Sequence, residues 1–528
     1  MAPESRLDAT EPEQPAGPAR VAAIDVGATS VRMEVAELPA QGPVHSLDRL
    51  VHPVSLGSDT FRNGQVSPGT LRALCRVLTN FSRVLAEYQV DETRAMATSA
   101  VREAANRDIL VDRIRHESGI RIEVLDAVAE MRLTYQVLLP FLRQRLTEAD
   151  TYTLILDLGG GSTEIMLLRD ESPVQVATRR LGAARLFQLT GEGEPAADAQ
   201  LLVESVVRNA VATTRDLYRA YPIRQCLVIN PLLARALAHE PQTRAVDEGV
   251  DVPTAHVNQV ASEATTLSPE ALSARFHVDL SSAEQLRPAL LVLQQFLRPL
   301  HLEEVSVLQI DLLSGILHDI ALSRRGGARR EELVREQVLG SSSGVAQKYH
   351  YDEAHSRQVT RLAVQLFDEL AGFLDLGGRD RLYLEVAGIL HDIGRFVSER
   401  AHHKHSAYLV QWAEISGLSN ADLQLVSLVV RYHRKAHPRQ QHLEFTSHPL
   451  ADRLRVTKLA ALLRIADALD RSHRQCIRSL KTERTEDTLT IFAQSNDDIA
   501  VELLALRGKA ELFEEITGLK VELRRVTP

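Results

Sequence analysis

Apolar residues follow two different periods along this chain of 528 residues. In the first part, short apolar runs at 21–24 and 154–156 are typical of buried strands, and alternate apolar positions over 31–35 indicate another strand. Further along, apolar positions recur every three to four residues over 359–374 and 382–390, which predicts helices. The sequence therefore predicts an α/β region followed by an all-α region.

Composition suggests where the chain divides. The first 19 residues are rich in Pro, Glu and Ala without an apolar signal core, which predicts a disordered tail. Arg, Gly and Ser around a short charged helix indicate a linker. Near the end we expect strands at 489–492 and 501–504, a helix from about Lys509 and a strand near Val521. The predicted segments are a tail (1–19), two α/β domains (20–140 and 141–323), a linker (324–344), a helical domain (345–478) and a small α+β segment (479–528).

One short pattern occurs twice, as IDVGATS at 24–30 and as LDLGGGSTE at 156–164. Each copy follows an apolar run and precedes strand-like sequence, so each indicates a hairpin with an acidic residue, a glycine turn and a hydroxyl residue. Glycines let successive backbone N–H groups approach a phosphate, and the aspartates Asp25 and Asp157 are placed to hold Mg²⁺ or a water. Two such turns facing each other would hold one polyphosphate from both sides.

A single turn of this kind also occurs in ordinary hairpins, so the duplication is what favours a phosphate site. A P-loop is excluded because no Gly-Lys-Ser/Thr is present and a strand follows the glycines. A dinucleotide-binding fingerprint fails for the same reason.

The paired turns resemble those of the actin-like ATPase and sugar-kinase superfamily, and more closely those of the exopolyphosphatase / guanosine pentaphosphate phosphohydrolase (Ppx/GppA) family. Three ordered motifs carry the resemblance: DLGGGSTE at 157–164, ATSAVREAAN at 97–106 and AEMRLTY at 129–135. The resemblance implies two actin-like, ribonuclease-H-like domains, release of terminal phosphate from polyphosphate or pppGpp, and a homodimer. Water or a sugar hydroxyl could each accept the phosphoryl group, and only the resemblance favours water.

The resemblance also assigns roles. Glu130 would be the catalytic base and Arg102 a phosphate-binding arginine. Without the resemblance, the simpler interpretation of Glu130 is a partner of the helix dipole, and that of Arg102 is a solvated surface charge. Asp25 and Asp157 would hold Mg²⁺, and Asp157 would also act in catalysis. The expected phosphate-binding residues are Gly27, Thr29, Ser30, Gly159, Gly160, Gly161, Ser162 and Thr163.

Several positions depart from the family pattern. Ala28-Thr29 stands where Ser-Asn is usual, and 126–129 reads Asp-Ala-Val-Ala instead of Ser-Gly-x-Glu. A later glycine-rich turn is replaced by Asn230-Pro231, and an Arg and a Glu are missing near 311–315. The preference between substrates therefore stays open. So does an alternative in which this half binds a phosphorylated ligand without turnover.

The helical region carries a second constellation. His355, His391-Asp392 and Asp467 lie on separate predicted helices, with His402, His403, His405 and His433 between them. Imidazole and carboxylate ligands suit one or two divalent transition metals such as Mn, Fe or Zn. The set resembles the HD metal-dependent phosphohydrolase domain, which would make this region a nucleotide phosphohydrolase or a sensor. A helical platform with structural histidines is the alternative.

The hexapeptide GILHDI occurs at both 315–320 and 388–393. Only the second copy has the other histidines and Asp467 around it, so we interpret the first, with His318 and Asp319, as a helix-end coincidence.

Composition agrees with a large enzyme of the cytoplasm. Hydrophobic residues make up 44% and charged residues 25%, as in ordinary globular chains. The net charge of −9 argues against a nucleic-acid partner, and three scattered cysteines argue against a disulfide framework. Because no apolar run reaches the roughly 18 residues of a membrane span, we expect no membrane partner.

Overall fold

A computed structural model describes residues 18–145, 150–189 and 196–527. The predicted tail therefore lies outside the described residues except for its last two positions. The first strand begins at Ala19, inside the segment predicted to be the tail.

Fifteen strands lie in the described residues. They are β1 Ala19–Val26, β2 Ser30–Leu38, β3 His45–Pro53, β4 Glu92–Ala97, β5 Ile122–Val124, β6 Tyr152–Leu158, β7 Thr163–Arg169, β8 Ser172–Arg179, β9 Ile223–Ile229, β10 Arg244–Val246, β11 Gly249–Pro253, β12 Glu304–Leu308, β13 Ser479–Arg484, β14 Thr488–Gln494 and β15 Lys520–Val526.

Two of the three sheets repeat one topology. The first has the order β3-β2-β1-β4-β5, and the second begins β8-β7-β6-β9-β12 before continuing to β11 and β10. In each sheet the strand before the glycine turn is central. The strand after the turn lies on one side, and parallel strands lie on the other. The duplicated sequence pattern is therefore a duplicated fold, as the predicted pair of actin-like halves requires.

The chain forms two compact units, 1–165 with 178–331, and 166–177 with 332–528. The helices of the first unit are α1 Leu56–Asn63, α2 Pro68–Glu87, α3 Ser99–Arg102, α4 Arg107–Ser118, α5 Ala127–Arg145, α6 Ala183–Gln188, α7 Ala196–Thr214, α8 Pro231–Ala238, α9 Thr254–Thr266, α10 Pro269–Phe276, α11 Leu280–Leu297 and α12 Leu312–Arg324.

Strand β1 is apolar throughout because both of its faces are covered. Val21 and Ala23 belong to a core that includes Leu133 of α5 and Ile316 of α12. Their neighbour Ala22 belongs to the opposite core, with α2 and α4. A strand buried on both sides has no polar face, which explains the continuous apolar run.

The second unit is built around one large helical core. Helix α13, Gly327–Lys348, leads into it across the boundary between the units. The remaining helices are α14 Glu353–Leu374, α15 Gly378–Leu390, α16 His402–Gln411, α17 Asn420–Tyr432, α18 Leu443–Thr446, α19 Leu450–Ala468, α20 Ala500–Lys509 and α21 Glu511–Thr517. The predicted all-α region is present, and the domain limits at 140 and 323 stay predictions.

The boundary between the two units, at 331/332, falls inside the predicted linker at 324–344. The segment is nevertheless not an irregular linker, because 327–348 is one continuous helix, α13. The glycines Gly340 and Gly344 of this helix allow close packing and do not indicate a flexible chain. A Cβ atom at Gly344 would lie 1.7 Å from the carbonyl oxygen of Val174, and one at Gly340 would lie 3.3 Å from that of Pro173. Gly and Ser occur here because the backbone of α13 passes directly against strand β8.

Two local expectations are also corrected. Residues 501–504 are not a strand but lie in α20, where strong helix formers surround them and the buried Glu502 and Leu506 share one face. His318 and Asp319 lie in the middle of α12, not at a helix end. Asp319 is buried between Arg94 and Arg132, at 2.7 and 3.0 Å, so this copy of the hexapeptide serves an internal ion-pair network.

Candidate functional site

The two glycine turns have the same geometry. Gly27 N–H donates to the Ser30 carbonyl at 3.0 Å, and Gly159 N–H donates to the Ser162 carbonyl at the same distance. A Cβ atom at either glycine would lie 3.2 Å from that carbonyl oxygen. Each turn is therefore closed by one hydrogen bond, and glycine is what allows it to close so tightly.

The turns also face each other. A Cβ atom at Gly160 would lie 3.2 Å from the Cβ atom of Ala28 in the other turn. One at Gly161 would lie 2.1 Å from the Ser99 hydroxyl, at the start of α3. The predicted apposition of the two hairpins is thus present, and no side chain could be added to Gly161 without displacing its neighbours.

Backbone carbonyls around the turns are bonded, but several amides are free. The Ala28 and Thr29 carbonyls accept from the N–H groups of Gly57 and Val54 at 2.7 and 3.1 Å. In the second turn, the carbonyls of residues 159–161 accept from the start of α6, including Arg185 Nε at 2.7 Å. Within the described residues, the N–H groups at 28, 29, 160 and 161 donate to no protein acceptor. This pattern suits an anion.

Both turns line a cleft of about 830 Å³ in the first unit. Glu130 and Asp157 also line it, as do the cationic side chains of Arg32, Arg49 and Arg235. Asp25, Asp279 and Asp311 line it too, so the cleft combines free amides, five carboxylates and three guanidinium groups. Such a mixture can bind a polyanion and hold a titratable group beside it.

Glu130 lies in the first turn of α5, where the sequence placed it. The helix starts there because the Asp126 carboxylate accepts the Ala129 N–H at 2.8 Å. Arg102 Nη1 lies 3.3 Å from Glu130 Oε2 and donates to the Leu125 carbonyl at 2.7 Å. Burial raises the pKa of Glu130 against the opposing effect of Arg102, and the nearby Asp25 raises it further. A carboxyl group with a raised pKa is a better proton acceptor.

Two residues predicted to contact phosphate have protein partners. Arg102 is not among the described residues that line the cleft, and its Nη1 contacts the Glu130 carboxylate, so a direct contact of Arg102 with phosphate stays a prediction. Thr163 is fully buried and its hydroxyl donates to the Leu181 carbonyl at 2.9 Å, which fixes the strand after the second turn. Gly27, Thr29, Ser30 and the four residues from Gly159 to Ser162 do line the cleft.

Acidic groups are crowded at the base of the cleft. Burial, followed by the charge of Glu130, raises the pKa of Asp157 to about 7. The same two causes raise the pKa of Glu164 well above its ordinary value, and Glu164 Oε1 is buried without a partner. These carboxylates would all be ionised at neutral pH only beside additional positive charge.

Asp25 is paired with an arginine that the sequence analysis did not select. Arg32 Nε donates to Asp25 Oδ2 at 3.1 Å, and its Nη1 lies 3.3 Å from Asp311 Oδ2. Asp25 Oδ1 is buried and has no hydrogen-bond partner. The signal was present in the predicted hairpin, because residues 25 and 32 face each other across the β1–β2 pair.

The residues present fit the expected Mg²⁺. The donors are all oxygens, as this hard cation prefers, and one of them is the unpartnered Asp25 Oδ1. Asp157, with its raised pKa, would gain from a neighbouring cation. Asp25 and Asp157 therefore remain the residues that would hold the metal.

The departures at Asn230 and Asp311 preserve local structure. Asn230 caps α8 by accepting the Leu233 N–H at 2.7 Å, and its side-chain amide donates to the Leu158 carbonyl at 2.6 Å. Asp311 caps α12 and accepts from Arg32 and Arg49. Both residues line the cleft, where Asn230 presents a polar side chain at the turn in which the family pattern has glycines.

The predicted residues of the helical unit also come together. His355, His391 and Asp467 offer ligand atoms within 4.8 Å of one another, and so do Asp392, His402 and His433. All six are buried. Sequence reasoning selected four of them and mentioned His402 and His433 without assigning them, because spacing alone does not distinguish them from His403 and His405.

The fold and the cleft together define the structural class of this protein. Two sheets of one topology, each with a glycine turn that faces a common cleft, give this protein a fold of the actin-like class. The family model described as "Ppx/GppA phosphatase family" matches residues 35–324, and that described as "Ppx/GppA phosphatase, domain III" matches residues 334–507. The chain belongs to the Ppx/GppA phosphatase family.

The individual relatives have low sequence identity, but the match to each covers most of both chains. A guanosine-5'-triphosphate,3'-diphosphate pyrophosphatase of Pseudoalteromonas atlantica is 22% identical, covering 88% of this chain and 89% of its own. One of Photobacterium profundum is 23% identical, covering 84% of each chain. Among solved structures, an exopolyphosphatase from Cytophaga hutchinsonii has a TM-score of 0.51 at 19% identity, covering 58% of this chain and 98% of its own. That similarity concerns the fold.

In the part of the chain that the structure describes, no helix has the length and hydrophobicity that crossing a membrane requires. Cys75, Cys226 and Cys476 are all buried free thiols.

Proposed function

We propose that this chain is a Mg²⁺-dependent phosphohydrolase that releases terminal orthophosphate from inorganic polyphosphate or pppGpp. The observation that carries the proposal is the pair of facing glycine turns, whose carbonyls are bonded and whose amides are free, next to Glu130. A kinase would need the same turns. The family to which the chain belongs and the names of its long relatives favour water as the acceptor.

The free amides bind the terminal phosphate. Both turns line the cleft and face each other, so their N–H groups contact the oxygens of one phosphoryl group from two sides. Arg49 and Arg235 are more exposed than Arg32 and line the same cleft, where they attract the rest of the anionic chain. A polyphosphate and a nucleoside polyphosphate share this anionic terminus, and both names occur among the relatives and similar structures.

Glu130 acts as the base. Its carboxylate takes a proton from the water that attacks the terminal phosphorus, and the displaced phosphate chain leaves in line. Arg102 acts as a positioning residue, since it fixes one oxygen of Glu130 and leaves the other for the water. When bound, Mg²⁺ neutralises negative charge on the phosphoryl oxygens, and Asp25 and Asp157 would hold it.

The test is phosphate release from long-chain polyphosphate and from pppGpp by the wild type and by Glu130→Gln. The substitution keeps volume and removes the base, so we expect a loss in kcat of about 10²- to 10⁴-fold with KM little changed. Glu123→Gln is the matched control, because this exposed carboxylate lies on β5, seven positions earlier.

Two results would contradict the proposal. Unimpaired turnover by Glu130→Gln would remove the base from the mechanism. Turnover that is lost only in Asp392→Ala would move the chemistry to the helical unit and leave the first unit as a binding module. If both substrates are hydrolysed, the ratio of their kcat/KM values ranks them.

A further inference from the structure

We infer that Arg185 is a positioning residue, which holds the second glycine turn in its phosphate-binding form and links this turn to the residues that support the base. The inference rests on the proposed function, because it concerns the same cleft. Arg185 lies in α6, which follows β8 of the second sheet. It is not among the described residues that line the cleft, so it acts on the substrate through its neighbours.

Arg185 occupies two successive carbonyls of the second glycine turn. Its main-chain N–H donates to the Gly160 carbonyl at 3.0 Å, and its Nε donates to the Gly161 carbonyl at 2.7 Å. In a trans peptide, the carbonyl and the N–H of the next residue point in opposite directions. The two bonds therefore direct the N–H groups of Gly161 and Ser162, which both line the cleft, away from α6.

The bond to the Gly161 carbonyl comes from the side chain of Arg185. Glycine has no Cβ atom to limit rotation about its own bonds, so the peptide between Gly161 and Ser162 can reverse more readily than its neighbours. A reversed peptide would present its carbonyl oxygen to the cleft, where the negative end of the dipole repels a phosphate oxygen. The guanidinium group holds the opposite orientation.

The other contacts of this guanidinium group belong to the part of the unit built on the first sheet. Arg185 Nη2 donates to Glu103 Oε1 at 2.6 Å, and the guanidinium carbon lies 4.0 Å from the centre of the Phe61 ring in α1. The side chains of Arg185 and Glu103 are 15% and 23% exposed. Charge-assisted and cation–π contacts that are largely shielded from water are stronger than exposed ones. One side chain thus joins the two sheet domains beside the turn.

Glu103 directly follows α3, the short helix that carries Arg102. Arg102 contacts the base Glu130, and its next neighbour Glu103 contacts Arg185. The N–H groups of residues 102 and 103 donate to the carbonyls of residues 98 and 99 at 2.9 and 3.0 Å, so both side chains project from one hydrogen-bonded turn. The Arg185–Glu103 pair therefore connects the phosphate-binding turn to the support of the base.

The geometry requires arginine at position 185. Nε and Nη2 belong to one rigid planar group, so their two donor directions are fixed relative to each other, and they match the Gly161 carbonyl and the Glu103 carboxylate. Lysine keeps the charge but offers a single nitrogen on a flexible chain. Arg180 also contacts Glu103, at 3.5 Å from Oε2, but its side chain is 77% exposed.

The test has two readouts, of which one does not require turnover. Binding of tripolyphosphate with Mg²⁺ is measured by calorimetry in Glu130→Gln, with and without Arg185→Met. The kinetic constants for polyphosphate are measured with the base intact. We expect Arg185→Met to weaken binding about tenfold and to lower kcat/KM by about 10- to 100-fold, because small displacements of a binding group have effects of this size. Arg185→Lys should recover little of either.

Arg180→Met is the matched control, because it removes an exposed cation from the same carboxylate, and both readouts should stay within about twofold of the parent protein. Glu103→Gln should lower kcat/KM about tenfold. The double variant Arg185→Met/Glu103→Gln should be no worse than Arg185→Met alone, since Glu103 acts through Arg185. Hydrogen exchange of residues 159–163 should rise in Arg185→Met, while exchange of α14 stays unchanged.

Binding and kcat/KM of Arg185→Met within about twofold of the parent protein would overturn the inference. Full recovery in Arg185→Lys would overturn it too, because charge alone would then suffice. So would faster hydrogen exchange throughout the chain, which would give Arg185 a role in folding only. If the wild type releases no phosphate, the proposed function fails, whereas the binding comparison still decides the role of Arg185. Absence of tripolyphosphate binding in Glu130→Gln would overturn both.

Discussion

Arg32 shows how one side chain can organise a charged cleft. It lies between Asp25 and Asp311, whose side chains are 2% and 3% exposed, and Asp311 also accepts from Arg49. Removing one member of such a group leaves buried charge uncompensated, which costs more than the ion pair itself contributes.

We therefore predict that Arg32→Met lowers the free energy of unfolding of the first unit by about 3 kcal/mol. Chemical denaturation measures it. In the double variant Arg32→Met/Asp25→Asn the loss should be smaller than in Arg32→Met alone, because the second change neutralises one stranded carboxylate. Additive losses would show that the two side chains do not interact.

Asp157 makes the stability of the first unit depend on pH. Its folded pKa of about 7 exceeds its ordinary value of 3.8, so between these values the folded state binds more protons than the unfolded state. The contribution of Asp157 to stability without Mg²⁺ is thus fully present below its ordinary pKa and is lost as the pH rises through about 7.

We predict that Asp157→Asn raises the stability of the metal-free first unit at pH 8 by at least about 1.4 kcal/mol, the value of one pKa unit. Thermal unfolding at pH 8 and at pH 5 measures it, and the gain should shrink at pH 5. Phosphate release should meanwhile be lost. Equal gains at both pH values would mean that the charge of Asp157 is not the cause.

At the scale of elements, the helical glycines divide into two kinds. A Cβ atom at Gly344 of α13 would overlap the backbone of Val174, whereas one at Gly372 of α14 would meet no atom within 4 Å. The first glycine is required by packing, and the second only weakens its helix.

The same substitution should therefore have opposite effects at the two positions. We predict that Gly372→Ala stabilises the second unit by about 0.5–1 kcal/mol, and that Gly344→Ala destabilises it by about 2 kcal/mol or more. Thermal unfolding of the two variants side by side measures both effects. Destabilisation of similar size in both would contradict the packing account of α13.

Elements with a distinctive local pattern were predicted well. Both glycine hairpins, the helix with Glu130, and helices α14 and α15 follow from apolar period and turn chemistry. The errors at 324–344 and 501–504 have one cause, namely that short segments of glycine, serine or branched residues have no pattern of their own. Whether Gly344 is a hinge or a contact depends on Val174, which is 170 positions away in sequence.

The sites divide in the same manner. Glu130, Asp157 and the turn glycines lie in continuous motifs, so the sequence could assign them. Arg32, Arg235 and His433 could not be assigned, because their roles depend on neighbours that only the folded chain supplies. Arg102 and Thr163 were assigned to the phosphate, whereas the structure gives them Glu130 and the Leu181 carbonyl as partners.

At the scale of the whole molecule, the helical unit is discontinuous in sequence. Residues 166–177 belong to it together with 332–528. We predict that a fragment of residues 332–528 is less stable than the same unit in the full chain, because it lacks the strand on which Gly340 and Gly344 pack. Thermal unfolding and hydrogen exchange of α13 compare the two. Equal protection of α13 in the fragment would show that residues 166–177 contribute nothing to the stability of the second unit.

That discontinuity has a consequence for the chain as it emerges from the ribosome. The hairpin at 166–177 is synthesised 155 positions before residue 332, where its unit resumes. At a translation rate of about 5–20 residues per second, on the order of ten to thirty seconds pass between the synthesis of this hairpin and that of α13, which packs on it. The rest of the helical core is made later still. During that interval β7 and β8 have β6 as a neighbour in their sheet, whereas the backbone at Pro173 and Val174 still lacks α13. About halfway through its synthesis, the nascent chain therefore carries a strand whose helical cover has not yet been made.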